Sequence, residues 1–372
     1  MENKRIGILT FQNAYNYGAI LQLYGLYSFL DENGYDVQII NYKNEYFANY
    51  YIYKYSLFKH NKYSNRVKNI LKVIGNPSIA INANIRRRKI DAFLEKRIKM
   101  TKWISKGSLR ELNANFDIFI VGSDQVWNMG LSDYDSTYFL DFVENDKKRI
   151  SYAASIGKEY ISGFEYDLME KNFPLYSAIS VREKKASELI ENYFRIKTDV
   201  VLDPTLLRDK EFWTAISNES RIEVKKKYVL IYAVQQPTNL LDAAVKFAEE
   251  NDCDVISIFG NSIKYKHKTV RNASIEDFLY YIRNAECTFV TSFHGLVFSI
   301  LFNKNFYYEL AKTIPNNNSR LIDLCKILGV QNREIVDADS VPRSDIDWEK
   351  VNEKLEIERH KSICWLEKAI RG

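Results

Sequence analysis

The sequence predicts an α/β protein of two Rossmann-like domains facing across a cleft, with a helical insertion in the first domain and a long C-terminal helix. Three observations predict it. Short apolar runs at residues 6–10, 37–40, 116–121, 178–181, 228–232, 255–259 and 288–291 alternate with segments of helical spacing, as buried parallel strands joined by helices require. The runs fall into two groups, separated by an Asp203-Pro204-Thr205 stop that suits a crossing between domains. At 372 residues the chain is too long for one ordinary core.

Composition narrows the class. A 46% hydrophobic, 14% aromatic chain has the material for a large core and is not disordered. A net charge of +5 suits acidic small molecules or an anionic membrane surface and is too weak to indicate nucleic acid. Cys253, Cys287, Cys325 and Cys364 form no C-x-x-C pair, so neither a zinc site nor a disulfide framework is expected, and a reducing cytosol follows. The first residues lack a signal-peptide core and no apolar run is long enough to span a bilayer, so a soluble cytoplasmic protein is expected.

In chain order, residues 6–10 form a strand and residues 20–30 a helix stopped by Asn33-Gly34, with a strand at 37–40. The connecting loop, rich in Asn, Tyr and Gly, is not G-x-G-x-x-G. It can still present backbone N–H groups and the Asn16 amide to an anion, or serve as an ordinary turn. Residues 43–105 change character: crowded aromatics precede a basic helical stretch containing Arg86-Arg87-Arg88-Lys89. This reads as a helical insertion, either resting on a membrane interface or packed with a solvated basic face.

Strand character returns at 116–121 and ends in Gly122-Ser123, then Asp124, Gln125, Trp127 and Asn128. So many polar groups beside a Trp read as a wall of a polar-ligand pocket; the plainer reading makes Ser123 or Asp124 an N-cap. The strand at 178–181 ends in Arg182-Glu183, where Arg182 either binds a carboxylate or phosphate in bidentate fashion or pairs with Glu183 or Asp203.

The second half runs strand 228–232, helix 240–250, strand 255–259, a helix opened by Ser274, and the strand at 288–291. That last strand breaks into Ser292-Phe293-His294-Gly295 and a fresh apolar run, placing His294 where open α/β sheets bind ligands. Arg320 starts a helix at 321–328, a position the helix dipole disfavours for a cation, which makes it a candidate to face a ligand. Residues 349–370 form a long charged helix.

Two such halves match the two-domain GT-B glycosyltransferase architecture. Six motifs carry a more specific resemblance: N-Y-G-A-I-L-Q (16–22), V-G-S-D-Q-V-W-N (121–128), S-Y-A-A-S-I-G (151–157), S-V-R-E (180–183), L-D-P-T (202–205) and S-F-H-G (292–295). In that order the chain resembles the polysaccharide pyruvyl transferase family. The resemblance covers nearly everything but residues 42–105 and implies a GT-B-like fold. It also implies transfer of the pyruvyl group of phosphoenolpyruvate onto a sugar, as a ketal, during cell-surface polysaccharide synthesis.

The resemblance assigns His294 as general acid. It carries Arg182, Asn16, Gly18, Ser292 and Gly295 over to the phosphoenolpyruvate side, where Arg320 joins them from its helix-start position, and Asp124, Gln125, Trp127 and Asn128 to the acceptor sugar. It implies no metal and no cofactor beyond the donor, an acceptor that is either free or lipid-linked, and a cytoplasmic enzyme, free or at the inner face of the membrane. One departure stands out: where the family has an R-x-H-G form, this chain has Ser292, and Arg320 or Lys304 is left to supply the missing cation. Domains are expected at 1–205 and 206–345, with the helix at 346–372 packing back on the first. A nucleotide-sugar glycosyltransferase and a non-catalytic polysaccharide-binding subunit stay open as alternatives.

Overall fold

The computed structural model describes residues 4–42, 44, 77–234, 237–259, 265–311, 318–339, 341–342 and 344–372. The aromatic cluster expected at residues 46–58, the turn glycine Gly260, and Asn316 and Asn317 lie outside them. Two compact units make up the chain: Met1–Ala80, Leu94–Leu207 and Glu358–Gly372 in one, Ile81–Phe93 and Arg208–Ile357 in the other.

In the first unit, β1 (Arg5–Leu9) leads through α1 (Tyr17–Glu32) to β2 (Asp36–Ile39). Next come α2 (Pro77–Arg97), which contributes residues to both units, then β3 (Ile118–Val121), a short α3 (Met129–Ser132) and β4 (Lys148–Ala154). The unit continues with α4 (Gly163–Asn172), β5 (Ala178–Val181), α5 (Lys184–Phe194) and β6 (Asp199–Val200). The strands lie in the order β2-β1-β3-β4-β5-β6, every pair parallel. Cover on both faces explains why β3 reads Ile-Phe-Ile-Val with no polar alternation. Helix α1 is buried on nearly all sides, so its sequence shows no polar stripe. Gly25 lets it lie against the 204–207 turn: a Cβ there would stand 2.6 Å from the Pro204 carbonyl oxygen.

The second unit opens with α6 (Lys210–Ser217), which buries Trp213 and is started by the Asp209 carboxylate accepting from the Phe212 amide at 2.8 Å. Then come β7 (Tyr228–Tyr232), α7 (Leu240–Glu250), β8 (Asp254–Ile258), β9 (Lys268–Val270), α8 (Ile275–Arg283), β10 (Cys287–Val290), α9 (Phe293–Leu301), β11 (Asn305–Tyr308) and α10 (Ser319–Leu328). Its parallel sheet runs β11-β10-β7-β8-β9. The last helix, α11 (Trp348–Arg371), gives its first half to this unit and its second half to the first. There Ser362 Oγ accepts from the Leu202 amide at 3.0 Å, and Trp365 Nε1 donates to Asp199 at 2.8 Å.

Each sheet reverses its direction of growth once: between β1 and β3 in the first, between β7 and β10 in the second. Those switch points are where such sheets open a crevice at their carboxyl ends. No helix among the described residues is long and apolar enough to cross a membrane.

Candidate functional site

In the first unit the switch point is filled by the protein's own polar groups. Thr10 Oγ1 donates to the Ser123 carbonyl at 3.1 Å, and Gln22 Nε2 donates to Thr10 Oγ1 at 3.1 Å. Gln22 Oε1 accepts from the Ser123 amide at 3.0 Å, and Ser123 Oγ donates to the Ala153 carbonyl at 2.7 Å. All of these groups are buried, so the polar signal at Ser123 is structural. Gly122 has φ +111, and a Cβ there would meet the Tyr152 carbonyl oxygen at 2.3 Å, so only glycine fits.

Arg182 is held between two carboxylates. Its Nη1 donates to Asp203 at 2.7 Å and its Nη2 to Asp124 at 3.2 Å, with the guanidinium 1% exposed. Burial alone would lower its pKa; the Asp203 and Asp124 carboxylates outweigh burial and raise it. Asp203 spends its other oxygen on the Thr205 amide and hydroxyl, at 3.0 and 2.7 Å, which accounts for L-D-P-T as a unit. A cation already faced by two carboxylates has little to offer an anionic donor. The Arg182–Asp203 ion pair that the sequence offered beside donor binding is present.

Three expectations change here. Asn16 is the N-cap of α1, its Oδ1 accepting from the Gly18 amide at 2.8 Å and the Ala19 amide at 3.4 Å. The Gly18 N–H expected to meet a phosphate is thus taken by the chain itself. Trp127 is fully buried, its indole N–H donating to the Tyr138 carbonyl at 3.2 Å and its ring packed among Phe139, Phe173 and Tyr176. It is a core residue, not a sugar contact.

What remains half-buried at this edge is Asp124, Gln125 and Asn128. Asn128 Nδ2 donates to Gln125 Oε1 at 3.0 Å, and Gly157, at φ +60, leaves room for that same amide oxygen. Glu183, unassigned from sequence, is fully buried. Its Oε1 accepts from Ser155 Oγ at 2.8 Å and from the Ile156 and Gly157 amides at 3.2 and 3.3 Å, tying S-Y-A-A-S-I-G to S-V-R-E.

In the second unit, β10 stops at Val290 and α9 starts at Phe293, beside the reversal between β7 and β10. Ser292 is the N-cap of α9, its Oγ facing the Gly295 amide at 3.5 Å. His294 lies in the first helical turn, 6% exposed, its ring edge-on to Phe293 with centroids 5.2 Å apart. The Arg320 guanidinium, from the first turn of α10, sits 5.7 Å from the Phe293 ring centroid. Phe293 therefore links the two expected site residues, and nothing but its position between Ser292 and His294 hinted at that.

Gly295 is required by packing. A Cβ there would lie 2.8 Å from the Tyr232 ring and 3.0 Å from Val290, so the glycine serves the packing of α9 on its own sheet. Lys304 precedes β11 and lies near Glu286 and Cys287 at the amino ends of the strands, opposite to the His294 turn. Burial lowers its pKa. Of the two cations considered, Arg320 is the one beside the His294 segment.

Glu309, which sequence reasoning passed over, is buried at the carboxyl end of β11 and accepts from the amides of Thr238, Asn239 and Leu240 at 2.8, 3.0 and 2.7 Å. It occupies the start of α7. A charged residue closing an apolar strand was the available signal. Among the described residues no group of three His, Cys, Asp or Glu side chains is placed to hold a metal ion.

A family model described as polysaccharide pyruvyl transferase matches residues 16–308. No curated protein matches the chain. Among solved structures, UDP-N-acetylglucosamine 2-epimerase from Rickettsia bellii is similar in fold, with TM-score 0.50 at 11% identity over 98% of this chain and 96% of that one. UDP-GlcNAc 2-epimerase from Neisseria meningitidis follows at TM-score 0.49, 9% identity and 98% and 94% coverage. The ADP-heptose lps heptosyltransferase II of E. coli gives TM-score 0.39, 9% identity and 96% and 99% coverage. The two parallel-sheet units are of the GT-B type.

Proposed function

The chain belongs to the polysaccharide pyruvyl transferase family, and from that premise we propose that it moves the pyruvyl group of phosphoenolpyruvate onto a sugar of a cell-surface polysaccharide precursor. The family makes it a transferase of polysaccharide modification; donor and product are our reading. The observation that carries it is the turn at the second sheet's switch point, where His294 stands in the first turn of α9 with Arg320 over the adjoining Phe293.

Phosphoenolpyruvate needs a cation and a helix N-terminus for its carboxylate and phosphate, and α9 with Arg320 supplies both kinds of group. His294 then protonates the methylene carbon, creating a methyl group and an oxocarbenium-like centre. One sugar hydroxyl adds to that centre and gives up its proton; phosphate leaves; a second hydroxyl adds and closes the ketal. One of the two hydroxyl protons restores His294 and the other leaves with phosphate. Asp124, Gln125 and Asn128, the half-buried polar groups of the first unit, are proposed to hold sugar hydroxyls.

A nucleotide-sugar donor is less well served. Rossmann-type sheets hold their pyrophosphate at the helix after the first strand, and in the second unit Glu309 already uses the first amides of α7. The proposed acceptor is a saccharide, free or lipid-linked, with the enzyme working in the cytoplasm or at the inner face of the membrane; of residues 43–105, the aromatic cluster lies outside the described residues and the basic stretch at 86–89 within them.

Arg320→Gln tests the donor assignment. Loss of one charge-assisted contact of about 1.5–3 kcal/mol raises the KM for phosphoenolpyruvate roughly 10- to 100-fold. A donor KM equal to that of the wild type would sink the assignment.

A further inference from the structure

The first unit presents an aromatic pair that its core does not use. Tyr134 follows α3, and Phe164 is the second residue of α4. Their rings meet edge to face, centroids 5.4 Å apart and planes 81° apart, yet Tyr134 stays 50% and Phe164 54% exposed. Leu131 and Tyr160, in the same two segments, are exposed as well.

Tyr134 is held at some cost. Asp133 and Tyr134 take φ values of +53 and +59, two consecutive left-handed residues where glycine or asparagine would be at ease. The Tyr134 amide donates to the Met129 carbonyl at 3.0 Å, which fixes the turn. A bulky aromatic is disfavoured in such a backbone, and half-exposure leaves part of that cost unrecovered by burial. Strain at a presented side chain points to use.

Both segments are continuous with the polar edge already described. The Leu131 amide donates to the Asn128 carbonyl at 2.9 Å, so Tyr134 extends from the end of V-G-S-D-Q-V-W-N. Phe164 follows the loop after S-Y-A-A-S-I-G, anchored by the capping box of Ser162 and Glu165. A sugar ring has an apolar C–H face and a rim of hydroxyls. An exposed aromatic pair, with the Tyr134 backbone bonded to Met129 directly after half-buried Asn128, offers groups for both.

We propose that Tyr134 and Phe164 form a stacking platform for a sugar ring of the acceptor saccharide, an assignment that rests on the transferase reading for the identity of that saccharide. Saccharide binding to the full chain is measured by calorimetry and saturation-transfer NMR with galactoside, mannoside and N-acetylhexosaminide oligosaccharides. The set comprises wild type, Tyr134→Ala, Phe164→Ala and Phe164→Trp, with phosphoenolpyruvate turnover measured in parallel.

At least one oligosaccharide binds the wild type. Each alanine variant weakens that binding, and raises the acceptor KM, by roughly tenfold, the worth of an aromatic contact. The donor KM and melting temperature hold, and Phe164→Trp restores affinity. Alanine variants that bind saccharide as wild type does, or a wild type that binds none, overturn the platform. Saccharide binding lost in the variants but without turnover in any protein keeps the platform and sinks the transferase. Self-association that disappears in Phe164→Ala, with saccharide affinity unchanged, makes the face an interface between copies and overturns the proposal.

Discussion

Replacing Arg182 by Met separates an ion-pair role from a donor-binding role. The side chain it removes is 1% exposed and bonds to Asp203, 0% exposed, and Asp124, 17% exposed. Without it, Asp203 keeps its two Thr205 contacts on one oxygen and loses the Arg182 guanidinium from the other. Stripping one partner from a buried ion pair costs about 3–5 kcal/mol, because the orphaned charge stays desolvated. Asp124 is better hydrated and adds less. At about 2–4 °C per kcal/mol for a unit of this size, the melting transition of the first unit falls by on the order of 10 °C.

The loss traces to the carboxylate left buried on Asp203 without its Arg182 partner. Arg182→Met paired with Asp203→Asn recovers much of the loss, since the buried charge is gone. Thermal and denaturant unfolding of wild type, Arg182→Met, Asp203→Asn and the double variant at about pH 4.5 and 8 form the assay. Arg182→Met within about 0.5 kcal/mol of wild type at both pH values, with donor binding abolished, would refute the ion-pair account and restore the donor role.

Other outcomes follow from the same geometry. Gly295→Ala drives a Cβ into the Tyr232 ring and Val290 and destabilises the second unit by about 1–3 kcal/mol, seen as a lower denaturant midpoint. Glu309→Ala leaves three amides at the start of α7 without their acceptor, costing about 1–3 kcal/mol. Inorganic phosphate then raises the variant's melting temperature more than the wild type's, because the vacated helix start accepts an anion. Burial would raise the pKa of Asp277, but hydrogen bonds from the Ser274 amide, Ser220 and Lys89 outweigh it and lower it. Its contribution is complete above about pH 4 and lost as pH falls through the depressed folded value, so Asp277→Asn flattens the acid limb of the stability profile.

The fold was legible because buried parallel strands leave near-continuous apolar runs. Helix 240–250 and the strands at 178–181 and 228–232 fall where the sequence places them. What escaped were elements with little apolar signal: α6, hidden in a charged stretch with Trp213 as its anchor; α4, begun by a capping box; and the short edge strand Lys268–Val270.

The site was legible as positions but less so as roles. Residue type marks Asn16, Arg182 and Trp127 as polar or aromatic groups near strand ends. It cannot tell whether each bond points to a ligand or to the chain. Asn16 caps α1 through its near neighbours, whereas Arg182 meets Asp203 and Asp124, and Trp127 fills the core, through partners up to 58 positions away that only the folded chain brings together. His294 and Arg320 both sit in helix starts and lie against the same Phe293 ring, a neighbourhood their positions in the sequence did not reveal.

Phosphate release from phosphoenolpyruvate by the full chain, with and without a panel of galactosides, mannosides and N-acetylhexosaminides, tests the account at its centre. His294→Gln runs alongside. Release that depends on acceptor and falls at least 100-fold in the variant, with the melting temperature held, is the predicted result for a lost general acid. Release absent across the panel, with no thermal protection of the wild type by phosphoenolpyruvate, contradicts the account.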